Sequence, residues 1–276
     1  MKWMARRARS LSQRARVLIV LATAVACGTV LVIPATIGVA ASAHHSGGLA
    51  PRQLPTISRT ARASGGVAAV GALFAVSAGE QGMHFCTASV VHSAHGDLAV
   101  TAAHCLTENP GQIVFVPGYA NGKEPYGAWP VTAAYTDQAW QSSQDPDDDV
   151  AFLRLADTSS GVPIENITGA ERFGAGSPKH ALVRVIGYPD DADQPVSCTN
   201  WTKIFSPTQL EFDCDGYTDG TSGGPFLADA SAASGQGTVI GVIGGYEQGG
   251  NTPEVSYAAA FGSGVTALYR SAEAGG

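Results

Sequence analysis

Between residues 66 and 262, short apolar runs alternate with polar breaks rich in Gly, Pro, Asp and Asn. The runs cover 67–77, 87–92, 98–102, 112–117, 131–135, 150–155, 181–187, 210–214 and 238–244. Each has the length of a strand and is rich in Val, Ile, Phe or Thr, side chains that pack well on a pleated surface. The breaks carry residues that make tight turns at little cost. Closely spaced strands without helical periodicity between them predict an all-β sandwich or barrel. One helix is expected, over 264–274, where Val265, Leu268 and Tyr269 form an apolar stripe; a frayed tail is the competing reading. No internal repeat breaks the stretch, and no second linker does.

The first 65 residues read differently. Residues 1–16 are basic, and an apolar run follows from Val17 to Ala40, ending at the small-x-small site Ala41-Ser42-Ala43. This is the layout of a secretory signal peptide over 1–43. The run is about the ~20 residues that span a bilayer, so an uncleaved membrane anchor is the alternative. Pro34 within the run and the Ala-x-Ala site favour cleavage. Residues 44–65 are polar, dotted with Pro, Ser and Arg, and lack apolar periodicity. They read as a propeptide or flexible leader, with one catalytic domain over 66–276.

Composition supports export and removes some partners. The 276 residues are 45% hydrophobic and only 14% charged, with 34 Gly and 15 Pro, too apolar for a disordered chain. Six of the 16 basic groups lie in residues 1–43, so the remaining chain sets ten against 23 acids. Such a body repels phosphate backbones, and no nucleic-acid partner is expected. Membrane contact is expected only if the N-terminal segment stays uncleaved. Of the five cysteines, Cys27 leaves with the signal. Cys86, Cys105, Cys198 and Cys214 remain, an even set that suits an oxidising compartment. Three pairings are open. Cys86–Cys105 and Cys198–Cys214 are favoured because each closes a short loop, worth ~3 kcal/mol in the chain-entropy model. No Cys-x-x-Cys is present, and neither a metal nor a cofactor is expected. Asn166-Ile167-Thr168 and Asn200-Trp201-Thr202 match glycosylation sequons, chance matches in a bacterial host.

Three segments carry chemistry. An apolar strand delivers a His in Thr101-Ala102-Ala103-His104-Cys105. An Asp directly precedes an apolar strand in Asp149-Val150-Ala151-Phe152-Leu153. A Ser stands in a glycine-rich turn in Gly220-Thr221-Ser222-Gly223-Gly224-Pro225. A serine hydroxyl is a weak nucleophile that needs a neighbouring base, and imidazole exchanges protons near neutrality. The imidazolium needs an anion that also fixes its tautomer, and a buried Asp supplies both. Asp149 is preferred over Asp147 and Asp148 because it abuts the apolar strand. An oxyanion needs two converging donors, a role suited to the N–H groups of Gly220 and Ser222. Chain order removes two rivals. An α/β-hydrolase needs its His after the Ser, and no His follows Ser222. The subtilisin order needs an Asp before the His, where only Asp97, in a turn, is available.

On these motifs the chain resembles the trypsin/chymotrypsin-like serine peptidases over residues 66–272. The stretches Val70–Phe74 and Phe85–Val91 look closest to secreted bacterial members, including the glutamyl-endopeptidase branch. The resemblance implies two packed six-stranded antiparallel β-barrels, roughly 66–160 and 175–262, with the site between them. It implies His104 as general base, Asp149 as orienting acid and Ser222 as nucleophile, and it matches Cys86–Cys105 to a family disulfide. The residue before the nucleophile is Thr221, where the animal enzymes carry an Asp that pairs with a newly freed N-terminus. Thr cannot form that pair, so trimming of the leader is not expected to act as an ionic switch.

The resemblance places Gly216, six residues before the Ser, and Gly244, Gly245 and Tyr246 at the substrate pocket. Ile243 stands at the apparent position of the His that glutamate-preferring relatives use, so a small or apolar side-chain preference is expected. The function implied is that of a secreted, extracellular, monomeric serine endopeptidase acting on peptides or proteins. A catalytically inactive protease-like binding module, or an esterase, is the alternative.

Overall fold

The computed structural model describes residues 57–77, 80–157 and 160–275. The segment read as a signal peptide, residues 1–43, therefore lies outside the described residues. Among those residues no helix is long and apolar enough to cross a membrane.

A two-residue strand, β1 (Arg62–Ala63), comes first. Six strands follow: β2 (Val70–Ser77), β3 (Glu80–Val91), β4 (Leu98–Thr101), β5 (Ile113–Pro117), β6 (Trp129–Thr136) and β7 (Ala151–Leu155). They close into a barrel in the order β2-β3-β4-β7-β6-β5, with every neighbouring pair antiparallel. Leu73, Val90, Phe115 and Leu153, which the register puts on one face of the sheet, are fully buried; each such side chain contributes about 1.5–3 kcal/mol by leaving water. A short helix, α1 (Gln138–Ser143), precedes β7. A second, α2 (Glu165–Thr168), lies on the connection out of the barrel.

The second half contributes β8 (Arg172–Phe173), β9 (Leu182–Gly187), β10 (Val196–Ile204), β11 (Gln209–Asp213), β12 (Pro225–Ala228), β13 (Thr238–Val242) and β14 (Val255–Ala259). They run in the order β14-β11-β10-β9-β12-β13-β8, with β1 on the edge of β10. All pairs are antiparallel except β8–β13. Val183, Val185, Phe212 and Phe226 fill the interior of this sheet. The architecture is the expected chymotrypsin-like one, with the second sheet following an open path of strands. The chain ends in helix α3 (Ser263–Ala274), which buries Val265, Leu268 and Ala272. Tyr269 stacks on Phe173 at 4.3 Å, and its hydroxyl donates to the His92 carbonyl at 2.6 Å. Phe152 of β7 also meets the Tyr269 ring, at 5.5 Å, so the expected stripe is a docking face against both the first barrel and β8.

Every apolar run holds a strand, and both disulfides take the favoured pairing, Cys86–Cys105 and Cys198–Cys214. Residues 57–65, inside the stretch read as a leader, are bonded to the second sheet. Ser58 N–H donates to Thr199, Ala61 N–H to Asp215 and Ser64 N–H to Pro195, at 2.7–2.8 Å. Pairing at a sheet edge uses backbone groups, so it leaves no apolar periodicity in the sequence.

Candidate active site

His104 follows β4 on a single 3-10 turn, Ala103–Cys105. The Cys86–Cys105 disulfide ties that turn to β3. Asp149 ends another turn, Pro146–Asp148, just before β7. The Asp145 side chain caps this turn by accepting the Asp147 N–H at 3.0 Å, and Pro146 pre-sets its first dihedral. Asp147 is exposed and Asp148 half-buried, whereas Asp149 is fully buried. Burial and the charges of Asp137, Asp145 and Asp147 hold the Asp148 carboxyl above its ordinary range.

The Asp149 carboxylate accepts three N–H groups. Oδ1 takes the His104 backbone N–H at 2.9 Å. Oδ2 takes His104 Nδ1 at 2.7 Å and the Gly245 N–H at 2.8 Å. Charge-assisted bonds of this kind are about twice as strong as neutral ones. An ionised carboxylate offers only acceptors, so the Nδ1 facing it carries the proton and Nε2 is left as the basic nitrogen.

Ser222 lies in the loop between β11 and β12, flanked by Gly220 and Gly223 with φ of +87° and +81°. Space as well as conformation demands glycine here. A Cβ at Gly220 would meet Asp190 N at 2.4 Å, and one at Gly223 would meet Thr101 Oγ1 and the Thr87 carbonyl at 2.1 Å. Within this loop the N–H groups of Thr221, Gly223 and Gly224 donate to Thr218, Ile243 and Thr221. Those of Gly220 and Ser222 have no acceptor among the described residues. The Thr221 hydroxyl donates to the Thr218 carbonyl at 2.7 Å.

His104, Gly220 and Ser222 line one cavity of about 790 Å³. Among the described residues no hydrogen bond joins the Ser222 hydroxyl to the His104 ring; in ligand-free sites this bond is often long and tightens around substrate. Residues Glu247–Pro253 and Tyr217–Thr221 supply much of the wall, and Glu108, Asp219 and Glu247 bring three carboxylates without a Lys or Arg.

Gly216, Gly244, Gly245 and Tyr246 are not among the lining residues. Gly216 N–H is bonded to Pro253. Gly244 packs against Asp149, where a Cβ would meet Oδ2 at 2.9 Å, and Gly245 donates to that same oxygen. Tyr246 is exposed and its ring packs at a tilt against Phe205 and edge-on against Tyr257.

Two buried residues at the site had no sequence signal. Gln209 Nε2 donates to the Pro146 carbonyl and Asp147 Oδ1 at 2.9 and 2.7 Å, and its Oε1 accepts the Tyr246 N–H at 3.1 Å. It thereby joins the Asp turn to the segment that carries Gly245. The second is Thr87 in β3. Cys86, His104 and Cys105 form the one compact His/Cys/acid group among the described residues. Its two sulfurs are bonded to each other, so it is no ligand set.

A closed six-stranded barrel beside a second, mostly antiparallel sheet, with an Asp–His pair and a glycine-bounded Ser on one cavity, defines the class as that of the chymotrypsin-like proteins. The chain belongs to the trypsin-like peptidase domain family, whose model matches residues 86–242, more than half of its length. The crystal structure of the protease Anisep from Arthrobacter nicotinovorans is similar at 26% identity. It matches 78% of this chain and all of that one, with a TM-score of 0.66. The thermostable serine protease AL20 from an extremophilic microorganism shares the fold at 24% identity. It covers 76% of this chain and 99% of its own, with a TM-score of 0.65. A Glu endopeptidase shares the fold at 14% identity, covering 79% of this chain and 98% of its own, with a TM-score of 0.60. No curated protein sequence gives a significant match.

Proposed function

We propose that this peptidase is an exported serine endopeptidase in which Ser222, His104 and Asp149 form the catalytic triad. One observation carries the reading. A fully buried carboxylate, with both oxygens committed to N–H donors, holds the His104 ring in the cavity that Ser222 lines.

Ser222 Oγ attacks the scissile carbonyl while His104 Nε2 takes its proton. The imidazolium is steadied by Asp149. The carbonyl oxygen becomes an oxyanion and accepts the free N–H groups of Gly220 and Ser222. Collapse breaks the C–N bond, and His104 returns the proton to the departing amine. Water, deprotonated by His104, then attacks the acyl carbonyl; collapse breaks the C–O bond to Ser222, and His104 returns the proton to Ser222 Oγ. The buried Thr221 hydroxyl is spent on Thr218, which fits a site that needs no ionic activation by a freed N-terminus. Three carboxylates on the wall make the cavity a poor host for acidic side chains, which separates it from glutamate-directed cleavage.

The test uses a fluorophosphonate probe and peptide hydrolysis on the purified protein. Wild type should label at Ser222. Ser222→Ala should lose the label and drop in turnover by about 10³-fold or more. A folded wild-type protein that neither labels nor hydrolyses would overturn the assignment in favour of a binding module.

A further inference from the structure

Thr87 is fully buried in β3, next to Cys86. All of its polar groups are engaged, mostly with distant parts of the chain. Its backbone N–H donates to the Ser222 carbonyl at 2.7 Å. Its hydroxyl donates to the Gly220 carbonyl at 3.0 Å and accepts the Tyr188 N–H at 2.8 Å. Its own carbonyl accepts the Thr101 hydroxyl at 2.7 Å.

The Gly220 carbonyl belongs to the peptide that follows Gly220. The peptide that precedes it, and supplies the Gly220 N–H, is held from its other end, because the Asp219 carbonyl accepts the Asp190 N–H at 2.9 Å. Asp190 lies two residues beyond Tyr188, the residue that Thr87 anchors. One hydroxyl therefore fixes the plane on one side of Gly220 directly and supports the segment that fixes the other. Gly220 needs this restraint. At φ +87° a glycine has no side chain to limit its dihedrals, and it would otherwise visit several wells.

We infer that the Thr87 hydroxyl is a positioning residue that holds the Gly220 N–H in register for the oxyanion. The inference rests on the reading of Gly220 and Ser222 as oxyanion donors. Transition-state charge is stabilised only by donors placed in advance. Losing the restraint should therefore lower turnover while ground-state binding stays nearly constant.

The experiment compares Thr87→Val, which replaces the hydroxyl with a methyl, with the pair Thr87→Ser and Thr87→Ala, which differ from each other only in the hydroxyl. Expected are a kcat loss of about 10–100-fold in Thr87→Val and Thr87→Ala, part of the cost of deleting an oxyanion donor, with KM within threefold. Thr87→Ser should stay within about threefold of wild type. Affinity for a peptide boronate, which forms a tetrahedral adduct, should fall with kcat, whereas affinity for an uncleaved peptide, measured on a Ser222→Ala background, should not. Thr87→Val or Thr87→Ala with wild-type kcat would overturn the inference. So would failure of both to fold while Thr87→Ser folds, since the hydroxyl would then serve stability alone. An inactive, unlabelled wild type would instead remove the triad reading.

Discussion

Glu171 is fully buried where the two halves of the molecule meet. Its backbone pairs with β3, through Val90 and His92, while Oε2 accepts the Gly237 N–H at 2.5 Å from the loop before β13. Oε1 has no hydrogen-bond partner. Burial pushes the carboxyl up from 4.5 to about 7, and the Gly237 N–H and the charges of Arg172 and Arg184 offset only part of that. The folded protein thus holds this proton more tightly than the unfolded chain does. The stability it contributes is complete below about pH 4.5 and is lost as pH rises through about 7. A shift of that size, at about 1.4 kcal/mol per pH unit, makes the loss about 3 kcal/mol. Glu171→Gln keeps an acceptor for Gly237 but cannot ionise. Thermal unfolding on a Ser222→Ala background, which prevents self-digestion, should therefore give a Tm difference that grows between pH 4 and pH 8 in favour of Glu171→Gln. At roughly 2–4 °C per kcal/mol for a domain of this size, the growth should be about 6–12 °C. Parallel Tm–pH curves would refute the argument, and a Glu171→Gln protein that weakens as pH rises would show that the two arginines stabilise an ionised carboxylate.

Two further substitutions probe the site. Asp149→Asn presents an NH₂ to at least one of three N–H donors in either amide orientation, so turnover should fall by about 10³–10⁴-fold, measured as kcat on a peptide substrate; a loss under tenfold would remove Asp149 from the mechanism. Gly223→Ala would drive a methyl to 2.1 Å from Thr101 Oγ1 and the Thr87 carbonyl, whereas Gly122→Ala at φ +69° meets open space. Gly223→Ala should cost more than about 3 kcal/mol and abolish labelling, and Gly122→Ala about 1–2 kcal/mol; equal Tm losses would sink the claim that packing demands glycine at 223.

The parts of the fold legible in the sequence are those whose burial is continuous along the chain. In the first barrel β4, β5 and β7 bury most of their length and read as apolar runs. The stretch 196–204 does not, because only Cys198 and Thr202 of β10 are buried, and its polar outer face hides the alternation. β12 and β14 are short runs after glycine- or proline-bearing loops, and β1 is held only by backbone bonds. The helix 264–274 was visible as a stripe, but its partners, Phe173 and His92, come from two distant segments.

The same distinction divides the site. His104, Asp149 and Ser222 stand out in the sequence because each carries its reason locally: a strand that delivers it, a turn that caps it, glycines that free the backbone around it. Thr87 and Gln209 carry no local reason. Next to Cys86, Thr87 reads as one more β-branched strand residue, and its hydroxyl acquires a purpose only when residues 101 and 133 positions away arrive. Gly245, placed by resemblance at the substrate pocket, donates its N–H to Asp149, a contact across 96 positions. Local chemistry therefore points to the groups proposed to react, while the groups proposed to aim them are set by the closure of the two halves on each other. It follows that variants of the aiming residues should change rate without changing which side chain the probe marks. That separates their role from that of the triad more sharply than any loss of activity alone.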